Sequence, residues 1–215
     1  MPSGFQASLF EDLEEVAAPP GARLGRLPGA VRRTPLAHGA WVDVRPGWVR
    51  DPDPLFAHLH RAVDWRAEQR PMYDRVVEVP RLTRFYGAHD PWPDPLLQEM
   101  RTVLSDHYAP ELGEPFTTAG CCLYRDGRDS VAWHGDRVGR SRHQDTLVAI
   151  VSLGDVRRLQ LRPRGGGASL SFPLGHGDLL VMGGSCQRTW DHAVPKTTRP
   201  SGPRISVQLR PRGVL

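Results

Sequence analysis

Between residues 117 and 212 the chain is a train of short apolar runs cut by Gly, Pro and Asp: "GCCLYRDG", "DSVAWHGD", "TLVAIVSLG", "RRLQLRP", "ASLSFPLG", "DLLVMGG" and "RISVQLRPR". Each run is shorter than an ordinary helix and rich in residues that suit a pleated strand, and the punctuation supplies the turns. Seven or eight strands at this spacing predict a sandwich, jelly roll or barrel.

The preceding part follows a different grammar. "DPDPLFAHLHRAV" predicts a helix with Asp53 as N-cap and Pro54 at the first helical position. "DPLLQEMRTVLSDHY" repeats the pattern from Asp94 and Pro95, with Leu96, Leu97, Met100, Val103 and Leu104 at helical spacing. Between them "MYDRVVEVPRLTRFYG" reads as a hairpin or extended arm. Residues 1–40, rich in Pro, Gly and Ala, are expected to be mobile except where they dock. The division expected is 1–40 as a flexible segment, 41–115 as helices and hairpin, and 116–215 as the β core, with 41–215 one structural domain.

The three cysteines, Cys121, Cys122 and Cys186, form no CxxC pair, which predicts reduced thiols. The first twenty residues lack a basic start and a long apolar run, and no stretch approaches the roughly 18 apolar residues of a membrane span. A cytoplasmic monomer without a membrane partner is therefore expected. A net charge of +4 would suit a polyanion, but Lys196 is the only lysine among 28 basic residues. So strong an arginine bias reflects codon usage as readily as phosphate binding.

His-Gly-Asp occurs twice, in "SVAWHGDRVG" (130–139) and in "PLGHGDLLVM" (173–182). The second is flanked by Gly175 and Gly177, which is turn chemistry, so His176 is read as structural. The first ends a strand of β-branched and aromatic residues, where His134 and Asp136 can share a metal. His192, in "RTWDHAVP", is the candidate third ligand. Two histidines and one carboxylate match the facial triad of non-haem Fe(II) oxygenases. In "RISVQLR", Arg204, Ser206, Gln208 and Arg210 share one strand face. Two arginines pointing into a barrel need buried anions, and a dicarboxylate such as 2-oxoglutarate supplies them. An exposed, charged edge face is the alternative at this point.

"CLYRDGRDSVAWHGD", "LGHGDLLVMGGSCQRTWDHAVPK" and "GPRISVQLR", with "VPRLTRFYG" ahead of them, together resemble the AlkB family of Fe(II)- and 2-oxoglutarate-dependent dioxygenases over residues 60–212. The resemblance implies a mainly β (α+β) fold: a double-stranded β-helix (jelly roll) core, N-terminal helices and a β-hairpin nucleotide-recognition lid. It implies Fe(2+) held by His134, Asp136 and His192, with 2-oxoglutarate and O2 as cosubstrates. Tyr124 and Arg204 would hold the distal carboxylate, with Arg210 near the keto-acid end. The implied reaction hydroxylates an N-alkyl carbon of a base in DNA or RNA and releases formaldehyde, succinate and CO2, single strands being preferred because flipping costs least there.

Three positions depart from the family pattern. Cys122 and Ser206 stand where asparagines are usual, each replacement removing an amide donor worth about 1–2 kcal/mol. Val138, after Arg137, stands where the repair members carry an acid that meets the damaged base. Met72, Tyr73, Arg81, Phe85 and Tyr86, with Trp65 and Trp133, are candidate base contacts. "QASLF" resembles a peptide that docks on the bacterial DNA-polymerase sliding clamp, through Gln6, Leu9 and Phe10. Two other functions remain open at this point: the same iron chemistry on a small molecule or protein side chain, and a non-catalytic cupin-type metal-binding jelly roll.

Overall fold

The run "TLVAIVSLG" has no polar alternation because both faces of the strand it forms are covered. In the computed structural model, residues 21–72, 75–136 and 143–214 are described, residues 69–72 and 75–78 by their backbone alone. Strands β1 (Arg23–Leu24), β2 (Arg32–Pro35), β3 (Ala40–Arg45) and β4 (Val49–Arg50) precede helix α1 (Asp53–Ala62). The hairpin of β5 (Arg66–Met72) and β6 (Arg75–Tyr86) follows, then α2 (Pro95–His107) and α3 (Ala109–Leu112). The remainder is β7 (Phe116–Tyr124), β8 (Val131–His134), β9 (Val148–Gly154), β10 (Arg157–Pro163), β11 (Leu170–Leu174), β12 (Asp178–Gly184), the short helix α4 (Cys186–Thr189), β13 (Trp190–Val194) and β14 (Arg204–Pro211).

Among the described residues, a major sheet runs β2-β3-β12-β9-β14-β7-β6-β5 and a minor sheet runs β11-β10-β13-β8. The ladders are antiparallel throughout both sheets. This is the expected jelly roll. Side chains alternate across the central strands: Val148 and Ile150 of β9 join Leu159, Leu161, Leu180 and Met182 between the sheets. Ala149, Val151 and Leu153 instead join Leu55 and Leu59 of α1 and Leu97, Met100 and Leu104 of α2 on the other face. Helices cover one face of the major sheet and the minor sheet covers the other, so a strand between them must be apolar on both sides. No helix among the described residues is long and apolar enough to cross a membrane.

Three local expectations change. Residues 23–40 supply β1 and β2, and Leu27 is buried, so this part of the expected loose segment is docked. A charged knot holds it: Arg33 reaches buried Asp43 with two bonds of 2.8 Å, and the Tyr108 hydroxyl donates to the same carboxylate at 3.0 Å. Asp94 caps α2 as expected, accepting from the Leu96 amide at 2.8 Å. Asp53 does not cap α1; Pro52 takes that place and the Asp53 carboxylate pairs with His176 at 3.0 Å. Strand β13 is the third change, because Asp191 and His192 break the apolar pattern that marks the other strands.

Candidate metal centre and its cavity

The end of β8 and the middle of β13 are neighbours in the minor sheet, and their register sets His134 directly opposite His192. The two rings lie 4.2 Å apart between centroids. Asp136, two residues past His134, completes a group whose ligand atoms all lie within 4.8 Å of one another. The first His-Gly-Asp triplet therefore builds the metal-competent cluster.

The donor set has been prepared for a cation. His134 Nδ1 lies 2.8 Å from the Ala132 carbonyl, so it carries the hydrogen and leaves the Nε2 lone pair free. Burial pushes the His192 imidazole down to about 3, against the raising effect of Asp136, so it is neutral as a ligand must be. Burial alone would raise the Asp136 carboxyl. The Arg210 guanidinium instead holds it well below the usual carboxylate range. Arg210 binds only Oδ2, while Oδ1 faces His134 Nε2 at 3.4 Å and is the oxygen left for a metal. The Asp136 amide donates to Gln187 Oε1 at 2.9 Å, which anchors the loop to α4.

The second triplet is a turn. Gly177 has φ +86°, and a Cβ there would collide with the Val49 carbonyl. Asp178 accepts from the amides of Gly47 and Gly175, both at 2.7 Å. His176 Nδ1 accepts from the Gly154 amide at 2.8 Å, which leaves Nε2 to donate to Asp53. Gly135 of the first triplet has no positive φ; it is small because the Arg164 side chain and the Gln187 carbonyl lie where a Cβ would go.

A cavity opens between the sheets. His134, Asp136 and His192 stand on one side, with Tyr124, Arg204, Ser206, Gln208 and Arg210 on the other. Arg204 and Tyr124 are cross-strand partners. Arg204 is 1% exposed; its Nε donates to Ser152 at 2.9 Å while its Nη1 is buried without a partner. Burial lowers its pKa, the cost of a guanidinium held away from water. Burial likewise pushes the Tyr124 phenol up to about 12, so it stays a donor beside that arginine. An orphaned, buried arginine nitrogen next to a protonated tyrosine fits a carboxylate, as 2-oxoglutarate would provide.

Not every expected contact is brought to the cavity. Arg81 lines it from β6, with its Nε buried and unpartnered. Trp133 does not: it alternates with His134 on β8, and its ring packs under Arg162 at 4.3 Å on the outer face of the minor sheet. Of the other lid candidates, Tyr86 is buried in the cluster beneath the helices, Trp65 packs against that cluster, and Phe85 is exposed. Tyr73, Arg137, Val138, Gln6, Leu9 and Phe10 lie outside the described residues, and Met72 is described by its backbone alone. Gln187, Ser152 and Arg157 are supporting residues that the sequence reading does not single out. Arg157 is buried and donates to the carbonyls of Asp126, Asp129 and Pro195 at 2.7–2.9 Å, fixing the loop between β7 and β8. Ser152 carries a signal, being a lone polar residue in an apolar run; Gln187, in a one-turn helix, carries none.

Comparison with known proteins agrees with this geometry. Residues 54–210 match the family model described as the 2OG-Fe(II) oxygenase superfamily. The chain is 32% identical over 195 residues to alpha-ketoglutarate-dependent dioxygenase alkB homolog 3 of Bos taurus, covering 78% of this chain and 66% of that protein. It is 25% identical over 182 residues to the DNA oxidative demethylase ALKBH2 of Homo sapiens, covering 74% and 67%. It thus spans about two thirds of the length of these relatives. The solved OsALKBH1 structure shares the fold at TM-score 0.61 and 14% identity, over 84% of this chain and 100% of that one. A jelly roll with this His-Asp-His cluster, a buried arginine–tyrosine pair across the cavity and a family match spanning both make the chain a member of the AlkB family of 2OG-Fe(II) oxygenases.

Proposed function

We propose that this protein is an Fe(II)- and 2-oxoglutarate-dependent dioxygenase that removes N-methyl groups from bases of DNA or RNA, with release of formaldehyde, succinate and CO2. The observation that carries the reading is the pairing, in one cavity, of the His134–Asp136–His192 cluster with the unpartnered guanidinium nitrogen of Arg204.

Iron bound by the triad, with 2-oxoglutarate, supplies the activation of O2. The side chains do the rest. Asp136 stays ionised because Arg210 compensates its charge, and His192 stays neutral because it is buried. Tyr124 and Arg204 hold the distal carboxylate, the first as a neutral donor and the second as its counter-charge. Ile150, Leu159 and Val194 give the cavity apolar walls that keep water from the cosubstrate's chain.

A nucleic acid substrate is supported by the relatives, of which ALKBH2 is named a DNA oxidative demethylase. Arg81, on the cavity's edge with an unpartnered nitrogen, offers a charge to a phosphate or base. Methyl groups on the Watson–Crick edge, as in 1-methyladenine and 3-methylcytosine, are the expected targets, with single strands preferred. Val138 lacks the carboxylate of the repair members, so a slower rate is expected, and Val138→Asp should raise it. The protein works as a monomer, with Gln6, Leu9 and Phe10 offered to a sliding clamp.

The test is formaldehyde release and mass loss on methylated DNA and RNA oligonucleotides, supplied with iron, ascorbate and 2-oxoglutarate. Turnover of 2-oxoglutarate that no methylated oligonucleotide stimulates would move the assignment to another substrate class.

A further inference from the structure

Where the family pattern has two asparagines, this chain has Cys122 and Ser206, and the two face each other across the β7–β14 ladder. Gln208 lays its amide over both. Its Nε2 lies 3.0 Å from Ser206 Oγ and 3.4 Å from Cys122 Sγ. The orientation of that amide is dictated by its other neighbour: Arg210 Nη2, which can only donate, lies 3.2 Å from Gln208 Oε1. The NH2 group therefore faces the serine, while Cys122 Sγ lies within reach of both amide atoms, 3.4 Å from Nε2 and 3.7 Å from Oε1.

The room for this arrangement comes from Gly120, directly opposite Gln208 in the ladder. A Cβ at Gly120 would sit 2.9 Å from Arg210 Nη1 and 3.1 Å from Gln208 Oε1. Its φ is not in the left-handed region, so the glycine serves space and not backbone conformation. A thiol is a weak acceptor, and an N–H directed at sulfur turns readily to a carboxylate oxygen. Ser206 accepts from Gln208, which leaves its own hydroxyl hydrogen to donate. The result is an unbroken chain from Asp136 through Arg210 and Gln208 to Ser206 and Cys122, all but the first link made by one strand face and its partner.

We infer that Gln208 is the amide donor to the carboxylate of 2-oxoglutarate at the metal end of the cavity, one glutamine doing the work of the two absent asparagines. The inference rests on 2-oxoglutarate being the cosubstrate. It makes Gln208 a binding residue, and Gly120 the residue that positions it.

The experiment uses the full chain loaded with Fe(II) under anaerobic conditions, titrated with 2-oxoglutarate by calorimetry and by the charge-transfer absorption of the chelate. Fe(II) affinity is measured separately without 2-oxoglutarate. Gln208→Met, equal in length and lacking the donors, should bind 2-oxoglutarate about tenfold more weakly with Fe(II) affinity unchanged. Adding Cys122→Asn in that background should recover most of the loss, since the amide then has the space Gln208 vacated. Gly120→Ala, which keeps every polar group but crowds the amide, should weaken binding several-fold and covers the case in which Gln208→Met fails to fold. Binding by Gln208→Met within twofold of wild type would overturn the inference, as would parallel loss of Fe(II), which would reduce Gln208 to a support for Arg210. A wild-type protein that takes Fe(II) but no 2-oxoglutarate would instead remove the function proposed above.

Discussion

Arg210 closes on a single oxygen of Asp136, with Nε at 2.9 Å and Nη2 at 2.8 Å from Oδ2. One carboxylate is thereby divided into an oxygen for a fixed cation and an oxygen for a metal. Both groups are largely buried, so removing the arginine leaves a carboxylate with much of its compensation gone. Arg210→Met should cost the apo-protein about 3 kcal/mol at pH 7. Because the folded-state pKa of Asp136 lies below its unfolded value, the pair stabilises the fold above about pH 4 and loses that contribution as pH falls. Denaturant unfolding at pH 7 and at about pH 3, below the unfolded-state pKa, should show a smaller acid loss in the variant than in wild type.

Alanine at His134, Asp136 or His192 removes one of three donors, and each variant should lose Fe(II) binding in a titration while keeping its fold. His176→Ala should bind Fe(II) as wild type does. Its cost should appear as about 1 kcal/mol of stability, because the Gly154 amide loses its acceptor. Loss of metal by His176→Ala with retention by His134→Ala would reverse the assignment of the two triplets.

Arg204→Met should move stability and binding in opposite directions. The wild-type side chain carries a fully desolvated charge with an unpartnered nitrogen, and a buried apolar replacement is neutral or stabilising. The melting temperature without ligand should hold or rise. The stabilisation that 2-oxoglutarate gives the iron-loaded protein should vanish, with affinity down at least about 100-fold.

The Gln187 side chain meets the metal centre through the backbone of a ligand, its Oε1 accepting from the Asp136 amide. Gln187→Leu orphans that amide and frees the loop carrying the carboxylate. Fe(II) affinity should fall about tenfold, the usual cost of a lost supporting bond. Isothermal titration on the folded variant checks it.

Trp133 stacks with Arg162 away from the cavity. Trp133→Leu should leave the affinities for Fe(II) and 2-oxoglutarate within twofold of wild type. A large loss in either would show that the outer face of the minor sheet communicates with the centre.

The order of short apolar runs and turn residues limited the core to a sandwich, jelly roll or barrel, and the DP-initiated apolar repeats determined α1 and α2, because period and turn chemistry are local properties of the chain. Glycines on both sides of His176 likewise mark a turn through local backbone freedom alone. Strand β13 was illegible for the opposite reason: it is half polar, and it forms because β10 and β8 offer ladders on both sides. Long-range register decided the rest. It set His192 opposite His134, turned Trp133 outward, and stacked Gln208 on Gly120 beside Cys122 and Ser206. No local pattern encodes which strand lies next to which, so the centre's composition was written in the sequence and its assembly only in the packing of the two sheets.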